Sequence, residues 1–364
     1  MKIQWTTAVV LSKSEGYSDS ASYLKFHLAK DFDLIEDNIT DPSREQLDEI
    51  RKMHNAGIGF MYEKTTRSAD VYVHNALPII FSKKSGYNVC FTYWETNKIP
   101  SGWLDSINSA DELWTTSKWA KDVFINSGVK IPVYDFKLGV NSLNYFPPAK
   151  PKDLVKDKFT FLCIGSPSTR KNSQMSVDAF LKLFSGNDRF HMIYKSNGPP
   201  DARLNNNIPD ARMPLNAHSR IKVIDWQVSE EDLAGIYDQV DCVLYPTSGE
   251  GWGLLPIQGI AKGIPTICTN ATACTEFAEL SIPLNFKWGT KNMFGIYDGC
   301  GDWAEPDFDD LCDKMLYVVN NYDEAAKKTF DGAQWVHQNL TWDKVSEGYK
   351  ERLCQISSTL KTNL

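Results

Sequence analysis

The feature that most constrains this chain is a rhythm. Short apolar, β-branched runs alternate with amphipathic stretches, and the alternation occurs twice. In the first part, residues 3–11, 71–73, 88–93, 112–115 and 132–136 read as buried strands. A short, near-continuous apolar run fits a strand covered on both faces. Helical stretches lie between them, such as residues 20–30 and a segment opened by Ser117 that carries Trp119, Val123 and Phe124. Residues 144–156 hold Pro147, Pro148 and Pro151 with few apolar side chains and read as a linker. Beyond it the alternation resumes. Residues 159–165 form a strand, followed by a helix with Val177, Phe180, Leu181 and Phe184 at helical spacing. Residues 191–194 and 221–224 are further strands on either side of a Pro/Asn-rich surface loop at 196–220. Ser229 with Asp232 predicts a capped helix carrying Leu233, Ile236, Tyr237 and Val240, and residues 241–245 are the next strand. Residues 333–360 read as one amphipathic helix. The pattern predicts two doubly wound α/β domains facing a cleft. Their expected limits are 1–145 and 146–335, with 336–364 as a terminal helix.

Composition narrows the function classes. Lys plus Arg number 39 against 46 Asp plus Glu, a net charge of -7 over 364 residues, which makes a general polyanion binder a poor reading. No run approaches the roughly 18 apolar residues of a membrane span. The first eleven residues lack a basic n-region and a small-residue cleavage site, so a cytoplasmic chain is expected, with peripheral attachment to a membrane left open. Eight cysteines include no C-x-x-C pair, and Cys90, Cys163, Cys242 and Cys268 sit in apolar runs as small hydrophobes. The six histidines lack metal-ligand spacing, and Asp31-Phe-Asp33 and Asp307-Phe-Asp309 read as solvated, so no metal is expected.

The strongest local signal runs from Tyr245 to Pro265, YPTSGEGWGLLPIQGIAKGIP. A strand ends, three glycines bend the chain, and a helix begins near Leu255. Pro256 fits the first turn, and Ile257, Ile260, Ala261 and Ile264 form a buried stripe. Free N–H groups at such a helix start favour an anion. Glu250 beside them would repel a phosphate unless its partner is a hydroxyl. A tight turn with Glu250 as a dipole-favoured cap explains the segment equally well. A second signal is Gly165-Ser-Pro-Ser-Thr-Arg-Lys-Asn172, which puts Arg170 and Lys171 at a helix start, where cations are disfavoured unless an anion completes the site. Lys195 follows a strand and belongs to the same carboxyl edge. Three cations and a glycine-rich helix start on one edge point to a diphosphate.

With these segments in order, the chain resembles the retaining nucleotide-sugar glycosyltransferases of the GT-B fold, which pairs two Rossmann-like domains. The run around Glu250 is similar to that family's E-x7-E segment, and residues 159–184 to its strand, basic loop and helix. Phe91-Thr-Tyr-Trp-Glu-Thr, Glu112-Leu-Trp-Thr-Thr-Ser-Lys-Trp and Leu138-Gly-Val-Asn with Phe146-Pro follow the family's order.

The resemblance implies a hexosyl- or pentosyltransferase that needs no cofactor and uses a nucleoside-diphosphate sugar as co-substrate. Arg170 and Lys171 would neutralise the donor diphosphate, with Lys195 nearby. Glu250 would hydrogen-bond donor-sugar hydroxyls, and N–H groups of Gly251, Trp252, Gly253 and Leu254 would hold phosphates or sugar. Gly16, in Ser14-Glu-Gly-Tyr-Ser18, lies where relatives place a glycine loop facing the donor. His74 and Glu95 are acceptor-side candidates, each with a purely structural alternative. The chain departs from the family at Gln258, where the second acid normally accepts from the nucleotide ribose; an amide keeps an acceptor oxygen. The terminal helix with Trp335, Trp342, Val345 and Tyr349 would return to the first domain. The acceptor stays open among a glycan, a lipid-linked sugar, a protein and a modified nucleic-acid base. A nucleotide-sugar epimerase, a phosphorylase, or an inactive sugar-nucleotide binder on this fold are the alternatives.

Overall fold

The computed structural model describes residues 1–8, 16–39, 68–154, 157–166, 168–196, 218–290, 295–297 and 299–362. The chain divides into two compact units: residues 1–139, 292–302 and 340–364 in unit 1, and residues 140–291 and 303–339 in unit 2. Where the composition places limits at 145/146 and 335/336, the compact units therefore part at 139/140 and 339/340, and a short segment after 291 returns to unit 1.

Unit 1 holds a parallel sheet of β1 (Lys2–Ala8), β2 (Asp33–Ile39), β3 (Val71–Asn75), β4 (Tyr87–Phe91), β5 (Glu112–Thr115) and β6 (Val133–Asp135), in the order β2-β1-β3-β4-β5-β6. The strand β2 gives no strong pattern in the sequence, because Glu36, Asp37 and Asn38 interrupt its apolar residues. Helices α1 (Gly16–Leu28), α2 (Leu104–Ser109) and α3 (Lys118–Asn126) cover the sheet. The Ser117 hydroxyl caps α3 by accepting from the Ala120 amide at 3.1 Å.

Unit 2 is built from β7 (Phe159–Ile164), α4 (Ser173–Phe184), β8 (Phe190–Lys195), β9 (Ile221–Ile224), α5 (Glu230–Asp238), β10 (Cys242–Tyr245), α6 (Leu254–Ala261), β11 (Thr266–Thr269) and β12 (Ile282–Leu284). Its strands pair in parallel as β12-β11-β10-β7-β8-β9. Numbered within the unit, that is the 3-2-1-4-5-6 order of dinucleotide-binding sheets, with the switch point between β7 and β10. A core of Phe159, Phe161, Phe180, Phe184 and Phe190 fills one face, with Phe184 and Phe190 stacked at 4.2 Å between ring centroids. The hairpin β13 (Phe286–Gly289) and β14 (Trp303–Pro306) precedes α7 (Phe308–Asn320) and α8 (Tyr322–Asn339). Asp307 accepts from the amides of Asp309 and Asp310, at 2.9 and 3.0 Å, so this acidic run is a helix cap.

The stretch expected as one terminal helix is two. After α8 ends at Asn339, α9 (Trp342–Thr362) begins. Trp335 belongs to α8 in unit 2 and is partly exposed, whereas Trp342, Val345 and Tyr349 are buried in unit 1. Gly139 lies against the start of α9, and a Cβ there would sit 2.5 Å from the Trp342 backbone nitrogen. Tyr349 packs on Phe136 at 4.7 Å and donates its hydroxyl to the Phe136 carbonyl at 3.0 Å. Deeper in unit 1, the fully buried Glu112 accepts from Trp114 Nε1 at 2.6 Å, Tyr87 hydroxyl at 2.9 Å and Arg352 Nε at 3.1 Å.

Removing one partner of such a buried pair leaves an uncompensated charge. Arg352→Met should therefore destabilise the chain by roughly 3 kcal/mol in urea unfolding, and the double change with Glu112→Gln should recover part of the loss. Equal stability of Arg352→Met and wild type would show the pair to be ornamental.

Candidate functional site

At the switch point of unit 2, the loops after β7 and β10 leave neighbouring strand ends, and backbone bonds tie them together. The Ser248 amide donates to the Arg170 carbonyl at 2.7 Å. Asn172, in the left-handed region at φ 50°, donates through Nδ2 to the Pro246 carbonyl at 2.7 Å and to Ser248 Oγ at 2.8 Å. The basic loop and the glycine-rich loop thus form one body.

Glu250 sits at its centre with only 6% of its surface exposed. Its Oε1 accepts from Lys171 Nζ at 2.7 Å, from Thr247 Oγ1 at 2.7 Å and from the Tyr245 hydroxyl at 3.1 Å. Arg170 Nη1 lies 3.0 Å from the same oxygen and donates to the Gly249 carbonyl at 2.7 Å. Among the described residues, these side-chain contacts fall on Oε1 and none on Oε2. The Glu250 amide donates to Thr272 Oγ1 at 3.0 Å, and Thr272 is held at φ 54°. A β-branched residue there costs of order 1–3 kcal/mol, strain of the kind that collects at sites.

Burial alone would push the Glu250 carboxyl up from 4.5; the charges of Arg170 and Lys171 and the bonds from Lys171 and Thr247 outweigh it and hold it at about 2. Burial draws Lys171 downward while the Glu250 charge opposes it. The group is an ionised, hydrogen-bonded cluster at neutral pH.

The glycine-rich turn itself is sterically fixed. Gly253, at φ 106°, precedes α6, and a Cβ there would lie 2.9 Å from the Phe277 ring. Trp252 is buried against Phe277 with ring centroids 5.8 Å apart, and its indole Nε1 has no hydrogen-bond partner among the described residues. Gly251 and Leu254 complete the loop and open the helix whose first N–H groups are free of intrahelical bonds. Gln258, in the middle of α6, is 9% exposed, and its Oε1 is buried without a partner among the described residues. It is not a solvated surface glutamine. An unpaired buried acceptor of this kind fits a ligand hydroxyl as donor.

The other expected residues belong to other segments of the chain. Lys195 ends β8, paired with Ile164 across β7, but its ammonium donates to the carbonyls of Ser196 at 2.7 Å and Trp226 at 2.9 Å. Burial, partly offset by Asp225, draws its pKa down to about 8. In unit 1, Gly16 opens α1, and residues 14 and 15 of its glycine loop lie outside the described residues. His74 on β3 is buried edge-on to Phe81, at 4.7 Å, and its Nε2 has no hydrogen-bond partner among the described residues. Burial, with the charge of Lys84, lowers it to about 4, so it is neutral at pH 7. Glu95 accepts from the Tyr297 hydroxyl at 3.0 Å.

Three members of the cluster carry no signal that sequence reasoning picked up. Tyr245 reads as a core strand residue, Thr272 is 22 positions from Glu250, and only Thr247, a hydroxyl three residues before the acid, offers a local hint.

Two doubly wound units, with an acid and two cations joined at the second unit's switch point, define a class, and comparison with known proteins agrees with it. Residues 158–282 match the family model described as glycosyl transferases group 1. A protein of the Sulfolobus islandicus filamentous virus (isolate Iceland/Hveragerdi), named "Putative glycosyltransferase 45", is 23% identical over 259 residues, 67% of each chain. Sucrose-phosphate synthase from Thermosynechococcus elongatus superposes with a TM-score of 0.70 at 13% identity, covering 98% of this chain and 99% of its own. Anabaena HepE, in complex with UDP-glucose, superposes with a TM-score of 0.65 at 12% identity over the whole of both chains. The chain has the GT-B fold, and its match to the group 1 model coincides with the unit 2 segment that carries Arg170, Lys171 and Glu250.

The depressed carboxyl makes a stability prediction. A group whose folded pKa lies below its unfolded value contributes stability above the unfolded value and loses it as pH falls through the folded one. Glu250→Gln should cost about 3 kcal/mol at pH 7, because Lys171 then stays buried without its anion. The gap to wild type should narrow as pH falls from 4.5 towards 2. A gap independent of pH would mean that the carboxylate charge contributes nothing.

Proposed function

We propose that the chain moves a sugar from a nucleoside-diphosphate sugar to an acceptor hydroxyl, with retention at the anomeric carbon and without a metal. The observation that carries this reading is the one-sided use of Glu250: Oε1 is saturated by two cations and two hydroxyls, and Oε2 is left for a ligand. A fixed acceptor oxygen beside two cations suits a substrate that is hydroxyl-rich at one end and anionic at the other.

The diphosphate would be the leaving group. Arg170 and Lys171, with the N–H groups from Gly251 to Leu254, would neutralise the charge that develops on it, so preorganised donors take the place of a metal. Glu250 Oε2 would accept from sugar hydroxyls and orient the anomeric carbon. The orphaned Gln258 Oε1 would accept from a ribose hydroxyl. The acceptor hydroxyl would attack on the face from which the diphosphate departs, with the departing phosphate oxygen positioned to take its proton. Gly16, His74 and Glu95 stay candidates for the donor loop and acceptor side of unit 1, and Lys195 acts at most by holding the Ser196 and Trp226 carbonyls.

A thermal-shift screen of UDP, GDP, ADP and their glucosyl derivatives should find at least one ligand that raises the melting temperature, since ligand binding stabilises the folded state. No shift with any of them, together with no nucleotide release from any sugar nucleotide, would defeat the reading. With the donor so found, Arg170→Ala and Lys171→Ala should each lower kcat/KM by roughly 10-fold to 150-fold, the range for a charge-assisted hydrogen bond. Transfer should persist in EDTA; complete loss restored by manganese would replace these cations with a metal. Gln258→Glu should tighten a ribonucleotide more than its 2′-deoxy analogue, whereas equal effects would move the ribose elsewhere.

A further inference from the structure

The proposed chemistry makes two demands on the same cations. Arg170 and Lys171 hold the Glu250 charge in the unliganded chain, and they are also the groups that would turn to a diphosphate. A carboxylate as buried as Glu250 that shares its cations with a dianion loses part of its compensation, and burial then favours protonation. A protonated Glu250 would have one acceptor oxygen fewer for the sugar. Something must hold the charge while the cations are shared.

The structure supplies two neutral donors that have no such second task. Tyr245 is the last residue of β10, 2% exposed and fixed in the central strand of the sheet. Its hydroxyl oxygen accepts from Lys171 Nζ while its proton goes to Glu250 Oε1, so the phenol stands between cation and anion. Thr247 Oγ1 donates to the same Oε1 and hangs from the loop that ends on Gly249. Burial and the Glu250 charge both keep the Tyr245 phenol protonated, and so available as a donor.

We propose that Tyr245 is a positioning residue: its hydroxyl, seconded by Thr247, keeps Glu250 charged and aimed through Oε2 when Arg170 and Lys171 are drawn to a diphosphate. The inference rests on the reading of the basic loop as a diphosphate site. The titratable and charged groups that face Glu250 are Arg170 and Lys171 from the loop before α4, Tyr245 on β10, and Cys274 from the turn that follows β11. Burial holds the Cys274 thiol well above its ordinary range, and the Tyr245 and Thr247 hydroxyls are the groups that reach Glu250 Oε1 and compensate without titrating.

The test uses the full chain with inorganic pyrophosphate, the part of the ligand common to every nucleoside-diphosphate sugar. Binding is followed by calorimetry, and the Glu250 carboxyl by its carbon-13 resonance, assigned by its loss in Glu250→Gln. In wild type saturated with pyrophosphate, the Glu250 midpoint should stay within about half a unit of the unliganded value. In Tyr245→Phe it should rise by about one unit, a tenfold change in the protonation equilibrium, only when pyrophosphate is bound. Turnover of the donor found by thermal shift should fall about tenfold in kcat with KM within about twofold. Thr247→Val should act in the same direction and Thr247→Ser should restore wild-type behaviour, which keeps the test decisive if Tyr245→Phe folds poorly. Pyrophosphate that fails to bind wild type overturns the diphosphate reading itself. Pyrophosphate that binds both chains with equal Glu250 midpoints and equal kcat overturns the role of Tyr245 and leaves that reading standing.

Discussion

The site depends on keeping one carboxylate charged where water scarcely reaches it. A bare carboxylate in such a place protonates or pulls water in, and either outcome would cost the chain its fixed acceptor oxygen. Three donors and the Arg170 guanidinium on Oε1 prevent this, and three pieces of local structure deliver them: the end of β10, the turn after it, and two successive residues of the loop after β7. Sheet order brings those pieces together. Only at the switch point do two neighbouring strands send their connections to opposite sides, leaving a gap that both loops can fill.

Much of this was legible from the residues. The two rounds of alternation foretold parallel sheets because strands buried on both faces must be nearly all apolar, as Phe159 to Ile164 are apart from Thr160. Glu250, Arg170 and Lys171 stood out because each is placed where a helix start makes its charge or its exposure anomalous. What escaped has physical reasons too. The strand β2 carries acidic and amide residues because it lies at the edge of its sheet. Tyr245 looks like core, and is core, apart from one oxygen. Direct pairing of the two cations with Glu250 also escaped: the sequence orders charges along a chain, and only the β7–β10 adjacency shows that residues 79 and 80 positions apart share an oxygen.

Gln258 shows how far composition alone can mislead. A glutamine in a helix is ordinarily a solvated residue, and nothing in its immediate neighbours changes that expectation decisively. In the fold it is enclosed with Ile257, Gly259, Ile260 and Ala261, all buried, and carries an acceptor with nothing to accept from. An acid in that place would need a cation or a ligand proton to be tolerated, whereas an amide can wait neutral. A neutral amide in that place thus costs less to bury than a carboxylate would.

The division of the chain has a consequence for the order in which the molecule is made. Residues pass between the units at 139/140, 291/292, 302/303 and 339/340, so unit 1 is assembled from three separate stretches. On a ribosome, the sheet of unit 2 has all its strands once residue 284 has emerged. The sheet of unit 1, although synthesised first, still lacks α9, and with it Tyr349 and the guanidinium that neutralises Glu112. The first-made half of the protein is therefore the last to be finished, and until residues 342–362 arrive it holds a carboxylate in its interior with no cation from α9 to meet it.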